Sequence, residues 1–359
     1  MKTNISRYGK IGSAVLFAII SHAATNLATA ADFDARIASE KRSASVGLGR
    51  DSVDLLQRVD GPGANAVAAN LLSRFNVDTV SKASAVYTNG LFKKTVTANQ
   101  TTFVGDEGWS LQVYGDGSSV RYRNFRYLDD HKSMQVPVHK RPTNQKLEKL
   151  GRAFIEDKLG DLVSLGPDEE LVPYFTQYEI TGGGSTKKGA AMVPEMVHAS
   201  TVVFTRSIDG LPVVGGGSKV AVIFANDGQA IGFDYDWPSY KKQGNRQRVL
   251  ELARIKSRDR AFSKHLFGDQ DVKELHFDCG YVDFGARKRD RNAPVQAGCM
   301  RQSVKKQVVD TAMHDRDQNS GFVMAASLDY IPAGENMKAD AFWAKAKNVE
   351  PPRAIAPRR

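Results

Sequence analysis

The sequence has few of the residues from which catalytic and metal sites are most often built. It holds 2 cysteines, 3 tryptophans and 7 histidines among 359 residues. No histidine precedes a glutamate, so the His-Glu-x-x-His helix of zinc peptidases is excluded. Gly-x-Ser-x-Gly, Cys-x-x-Cys and a phosphate-binding P-loop are also absent. We therefore predict no catalytic residue, no cofactor-binding residue and no metal ligand, and the balance favours a protein that is not an enzyme.

The sequence also lacks an apolar run of membrane-spanning length. Its short apolar stretch, Ile11 to Ile20, follows the basic residues Lys2, Arg7 and Lys10. Ala28-Thr29-Ala30 then matches the small-residue pattern of a signal-peptide cleavage site, and no later segment reaches about 18 apolar residues. We predict a signal peptide over residues 1–30, cleavage near Ala30, and a secreted or periplasmic bacterial protein that does not span the membrane.

The two cysteines, Cys279 and Cys299, form an isolated pair in the sequence. In an oxidising compartment such a pair usually forms a disulfide. Closing a loop of about 21 residues would stabilise the fold by on the order of 3 kcal/mol. One nearby histidine, His276, with two separated cysteines makes a poor zinc site. A structural disulfide is the prediction.

The formal charge of +10 is concentrated in one region of the chain. Residues 241–310 contain 17 Lys or Arg against 9 Asp or Glu. Few aromatic residues lie among these cations to stack on bases, which disfavours nucleic acid as a partner. The densest basic patch is Arg287, Lys288, Arg289 and Arg291. Two interpretations remain open, a solvated basic face and contact with an anionic envelope surface.

The clearest secondary structure lies between His198 and Tyr240. Thr201 to Thr205 is β-branched and aromatic, and Val220 to Ala225 is a continuous apolar run. Asp227-Gly228 between apolar runs predicts a hairpin, and the strand after it alternates apolar and polar residues. We predict three successive antiparallel strands with glycine-rich turns. Asp234 and Asp236 share one face of the last strand, and we interpret them as a solvated outer face because hydrolytic carboxylate pairs come from separate elements.

These residues carry a resemblance to a known family. The pattern runs from Phe204 and Arg206 through Asp209-Gly210-Leu211-Pro212-Val213, then Gly215 to Gly217, Val220 to Phe224 and Asp227-Gly228. It is similar to the PepSY and fungalysin/thermolysin-propeptide families, over roughly residues 145–240. The resemblance implies a helix packed on a small antiparallel sheet, acting as a protease pro-region or a secreted regulatory module. The peptidase half of such a protein is absent here.

The rest of the chain predicts the same arrangement more than once. Helices are expected at Ala64 to Phe75, Asn144 to Leu159 and Arg246 to Phe267, each followed by strand candidates. The candidates before the central region are Ser84 to Tyr87, Phe92 to Thr97, Trp109 to Tyr114, Val120 to Tyr127 and Leu171 to Ile180, with a hairpin turn at Gly115 to Ser118. We predict an α+β fold of three repeated helix-plus-antiparallel-sheet modules of the cystatin/PepSY-like kind. The predicted boundaries are a polar segment at 31–60, modules at 61–140, 141–243 and 244–335 (the last with the disulfide), and a Pro/Arg-rich tail at 336–359.

Without a catalytic motif, the best functional hypothesis is an exported, non-catalytic binding module. It would inhibit, chaperone or dock onto a secreted hydrolase or peptidase by pairing a sheet edge with a partner segment. The candidate contact residues are Leu211, Pro212, Val213 and Val214, because proline is tolerated at edges and turns. The alternatives are a secreted enzyme acting on envelope polymers with an unrecognised site, and a structural envelope or surface component.

Overall fold

The protein is seen in a computed structural model that describes residues 48–77, 84–130, 134–183, 193–267, 272–285, 294–308 and 322–336. Most of the secondary structure in these residues is β-strand, and 13 strands form one mixed sheet. Its main path runs β15-β14-β13-β9-β8-β10-β11-β5-β4-β3-β2, while β6 and β7 pair with β8. The prediction of three repeated helix-plus-sheet modules is therefore wrong, because strands assigned to different modules are hydrogen-bonded to one another.

The chain first forms β1 (Ser52–Val59) and helix α1 (Ala64–Arg74). An antiparallel meander follows: β2 (Phe92–Thr97), β3 (Gln100–Gly105), β4 (Trp109–Tyr114) and β5 (Ser119–Asn124). The predicted helix and the β4–β5 hairpin are confirmed. The strand expected at Ser84 to Tyr87 does not form, and β3 had not been predicted.

Short elements then lead into the second helix. They are α2 (Phe125–Asp130), β6 (Val136–Pro137) and a 3-10 turn (Val138–Lys140). Helix α3 (Asn144–Phe154) begins where the Thr143 side chain accepts a hydrogen bond from the Lys146 N–H, and it continues as one π-helical turn (Ile155–Leu159). Its extent agrees with the sequence prediction.

The central region holds one strand more than predicted. β7 (Glu169–Gly183) pairs with β8 (Val193–Ile208), and β9 (Leu211–Gly215), β10 (Lys219–Ala225) and β11 (Ala230–Asp236) follow. β8 forms a tight hairpin with β9 at Ile208↔Leu211 and then pairs with β10 from Thr205 onward. β9 and β10 therefore both pair with β8, and the residues from Gly215 to Ser218 connect these two strands.

The last part of the chain begins with β12 (Ser239–Arg248), which pairs with β1 in a separate two-stranded sheet. Helix α4 (Leu252–Phe267) starts later than the predicted Arg246, because the preceding residues belong to β12. β13 (Val272–Asp283), β14 (Gln296–Val308) and β15 (Phe322–Pro332) form an antiparallel set. β13 also pairs in parallel with β9, which joins this set to the rest of the sheet.

Among the described residues, the two largest hydrophobic cores lie along the sheet. The first packs α1 and α3 against the strands through residues such as Leu71, Leu147 and Phe233. The second contains β1, α4 and β13–β15 and is built on residues such as Leu56, Ile255 and Phe277. Within the described residues, no helix is both long and apolar enough to cross a membrane.

Candidate functional site

The segment predicted to contact a partner, Leu211 to Val214, lies inside the sheet. Leu211, Val213 and Val214 are buried, and Pro212 is half-buried. β9 pairs with β8 through Leu211 and Pro212 and with β13 through Val213 and Val214. β9 thus has a strand partner on each of its two edges, so neither edge is open to a segment of another protein among the described residues. The prediction that Leu211 to Val214 contact a partner is therefore corrected.

The structure describes the predicted cysteine pair but not the predicted basic patch. Cys279 and Cys299 face each other on β13 and β14 and form the predicted disulfide, buried in the second core. Such a bond fits an oxidising, extracellular compartment. The basic patch of Arg287, Lys288, Arg289 and Arg291 lies outside the described residues.

Strand β2 is an edge strand of the main sheet, as are β15 and β7, each of which pairs with one strand among the described residues. Its six residues are all exposed, and within the described part of the chain it pairs only with β3. The exposed fractions are 79% for Leu91, 43% for Phe92, 64% for Val96 and 50% for Val104. We call Leu91, Phe92, Lys93, Lys94, Val96 and Val104 the outer edge. No second strand pairs with β2 within the described residues, so its outward backbone groups lie beside apolar side chains, the combination found at strand-addition sites.

The outer edge is held firmly by aromatic packing. Phe92 lies opposite Gly105, and its ring centroid is 5.8 Å from that of Trp109. Trp109 covers Gly105 so closely that an added Cβ would lie 2.2 Å from the indole. The Trp109 Nε1–H also donates to the Asn89 carbonyl at 3.3 Å. Phe92 of β2 thus packs on Trp109, which belongs to the first core.

A second cluster lies where β9 leaves β8 and reaches β13. Arg58 of β1 donates to Asp236 of β11 at 2.7 Å and to Asp283 of β13 at 3.2 Å. Tyr240 of β12 donates to the same Asp283 carboxylate, and Ser218 bonds to Tyr240 at 2.8 Å. We call these five residues the junction cluster. Asp236 is therefore paired and largely buried, which corrects its assignment to a solvated face.

Asp234 is also paired rather than solvated. Arg123 holds its carboxylate with two hydrogen bonds of 2.9 and 2.7 Å, and Arg121 adds a third at 3.3 Å. The two aspartates of β11 thus bind different arginines, so they cannot act together as a free carboxylate pair.

The electrostatics of the junction cluster follow from its burial. The Asp283 side chain is fully buried, and the Arg58 side chain is 6% exposed. Burial opposes the charge on Arg58, but Asp283 and Asp236 outweigh it and raise the pKa of the guanidinium. Burial, followed by the Asp283 charge, raises the pKa of Tyr240, so this hydroxyl stays protonated and donates.

Lys219 lies next to this cluster, on β10. Its Nζ donates to Thr205 Oγ1 at 2.7 Å and to the Val213 carbonyl, and it lies 4.6 Å from the centre of the Tyr174 ring. Burial lowers the pKa of Lys219 to about 7, against the opposing effects of Asp283, Asp278 and Asp236. Tyr174 in turn bonds to Asp278, which also contacts His276.

An amine, a phenol and a His–Asp pair thus lie close together beside the junction cluster. However, Lys219 is already bound to oxygens of β8 and β9, so its position is explained by holding those strands where they separate. The outer edge, by contrast, has no such structural explanation. The sequence predicted β2 as a strand, but only the strand order shows that it is terminal.

No family model matches the chain, and no curated protein matches it. Among solved structures, the crystal structure of an uncharacterized protein from Eubacterium rectale aligns with a TM-score of 0.48 and 9% sequence identity. The alignment covers 85% of this chain and 98% of that chain.

Proposed function

We propose that this protein is an exported, non-catalytic binding module that captures an extended segment of a secreted hydrolase on its outer edge. The observation that carries the proposal is the terminal strand β2, whose six residues are all exposed and flanked by exposed apolar side chains. A partner segment would add one strand to the sheet, with backbone hydrogen bonds supplying affinity and side chains supplying selectivity.

The charges on β2 indicate which strand would fit. Lys93 and Lys94 lie side by side in the sequence and therefore on opposite faces of the strand. Two copies of β2 paired edge to edge would bring lysines near one another, and like charges across strands are destabilising. A segment that alternates acidic and apolar residues would instead place its apolar side chains over Phe92 and Val96 and its acidic side chains on the opposite face, beside Lys93. Such a segment of a hydrolase is the proposed ligand.

The disulfide supports export, because such bonds persist in oxidising compartments. The propeptide-like pattern between residues 145 and 240 supports a hydrolase as the class of partner. In this proposal the protein inhibits, chaperones or positions that hydrolase by holding its segment in extended form.

The test compares capture of proteins from culture fluid by three forms of the protein. Leu91→Ser/Val96→Ser removes the two most exposed apolar side chains of the outer edge. Leu165→Ser/Val193→Ser is the matched control, since these residues are 44% and 62% exposed elsewhere on the surface. We expect wild type and control to capture a hydrolase and to change its activity, and the edge variant to lose at least about tenfold in affinity.

Both double variants should fold normally, because exposed substitutions usually change stability by less than about 0.5 kcal/mol. Equal capture by the edge and control variants would contradict the proposal. Hydrolytic activity that stays with the purified protein itself would contradict its non-catalytic character.

A further inference from the structure

Helix α4 carries an exposed row of cations that the proposed function does not use. Arg254, Arg260 and Lys264 are exposed, as are Ala253, Ser257 and Ala261. At 100° per residue these positions fall within one third of the helix circumference, on the side away from the buried Ile255 and Phe262. We call Arg254, Arg260 and Lys264 the basic face.

Lys256, Arg258 and Asp259, which are also charged residues of α4, contact other parts of the protein. Lys256 lies 3.6 Å from the centre of the Phe277 ring, and Arg258 donates to the carbonyls of Pro332 and Gly334. Asp259 is buried and paired with Arg301 at 2.8 Å. The acidic side chain within the helix therefore points inward, while three cations point to solvent. Among the described residues, the basic face has no carboxylate within salt-bridge distance.

The positive charge of Arg254 lies at the end of α4 where it does not stabilise the helix. It lies in the first turn of α4, where the helix dipole disfavours a positive charge, and the acidic residue Glu251 directly precedes the helix and is exposed. Burial and then the charge of Arg254 lower the pKa of Arg258. An anion bound at this face would relieve the repulsion between these cations.

We propose that the basic face binds a carboxylate-bearing polysaccharide. Nucleic acid is a poorer fit, because among the α4 side chains that the structure describes the aromatic one, Phe262, is buried and offers no stacking platform. A membrane is also a poorer fit, because alanine is the largest apolar side chain among the exposed positions named above. A flexible anionic chain can be held by a row of cations through charge alone.

The experiment measures binding of polygalacturonate by the full protein at low and at physiological salt. The test variant is Arg254→Gln/Arg260→Gln/Lys264→Gln. The matched control, Lys140→Gln/Lys146→Gln/Lys149→Gln, removes the same charge from other exposed lysines. We expect the wild type and the control to bind, with affinity falling as salt rises, and the test variant to bind at least about tenfold more weakly.

Arg254→Lys/Arg260→Lys keeps the charge and should keep the binding, which separates loss of charge from loss of helix structure. Equal weakening in the test and control variants would show an effect of net charge only and would overturn the proposal. Binding of single-stranded DNA or anionic vesicles at least as tightly as polygalacturonate would also overturn it. The outer-edge variant Leu91→Ser/Val96→Ser should bind polygalacturonate normally, so the two proposals can fail separately.

Discussion

Asp283 is the residue on which the connection between the two halves of the sheet depends most. Its carboxylate accepts from Arg58, Tyr240 and the Gly285 N–H, and its main-chain carbonyl accepts from the Gly217 N–H at 2.8 Å. These donors come from different parts of the chain. A fully buried carboxylate needs such a set, because an unpaired buried charge is strongly destabilising.

Replacing Asp283 with alanine should therefore destabilise the protein strongly. Arg58 and Tyr240 would keep their burial but lose a common acceptor, and we expect a loss of about 3–5 kcal/mol in the free energy of unfolding. Urea denaturation measures this loss. The control is Asp130→Ala, which breaks an ion pair with Arg126 that is more than half exposed, and should cost less than about 0.5 kcal/mol. A loss below about 1 kcal/mol for Asp283→Ala would contradict this account.

Lys219 should make stability depend on pH. Its folded pKa of about 7 lies below the ordinary value of 10.5, so between these pH values the unfolded chain binds the additional proton. The contribution of Lys219 to stability therefore rises with pH through this window. Relative to Lys219→Met, the wild type should gain up to about 1.4 kcal/mol per pH unit between pH 7.5 and 9.5.

Comparison with the variant cancels the contribution of groups other than Lys219. Tyrosines such as Tyr122 and Tyr240, whose pKa values burial raises, stabilise the fold below pH 10 and destabilise it above. The measurement is the difference in unfolding free energy between wild type and variant across this range. A difference that stays constant with pH would show that Lys219 has an ordinary pKa.

Elements formed by residues close in sequence were predicted well, whereas elements formed by distant pairing were not. Helix α3 and the hairpins at Gly115–Ser118 and Asp227–Gly228 carry their own capping or turn residues. β9 is only five residues long, and its parallel partner β13 lies far along the chain. β12 reads Ser-Tyr-Lys-Lys-Gln-Gly-Asn-Arg-Gln-Arg, without apolar alternation, so its pairing with β1 could not be predicted.

The parallel contact between β9 and β13 should be sensitive to one glycine. A Cβ added at Gly280 would lie 1.9 Å from the Pro212 carbonyl oxygen, which is backbone and cannot move aside cheaply. We expect Gly280→Ala to lower the free energy of unfolding by about 2–3 kcal/mol, measured by urea denaturation.

The matched control is Gly166→Ala, where the nearest atom would be 3.5 Å away in ordinary contact. It should be neutral or slightly stabilising. Equal stability of the two alanine variants would show that β9 and β13 do not approach each other as closely as described.

At the scale of the whole molecule, the described residues form one 13-stranded sheet and a separate pair of strands, and the candidate site follows from that topology. The hypothesis drawn from the sequence placed the candidate partner contact at Leu211 to Val214. Once the modules share a sheet, that segment becomes interior and β2 becomes terminal. The sequence could identify Phe92 to Thr97 as a strand, but strand order depends on long-range pairing and decides which strand can accept a partner.

The most direct test of this account is hydrogen exchange of the protein with and without the captured hydrolase. We predict that the backbone amides of β2 become protected in the complex, and that this protection is absent with Leu91→Ser/Val96→Ser. Unchanged exchange throughout β2, with protection appearing on another surface of a stable complex, would contradict capture at the outer edge.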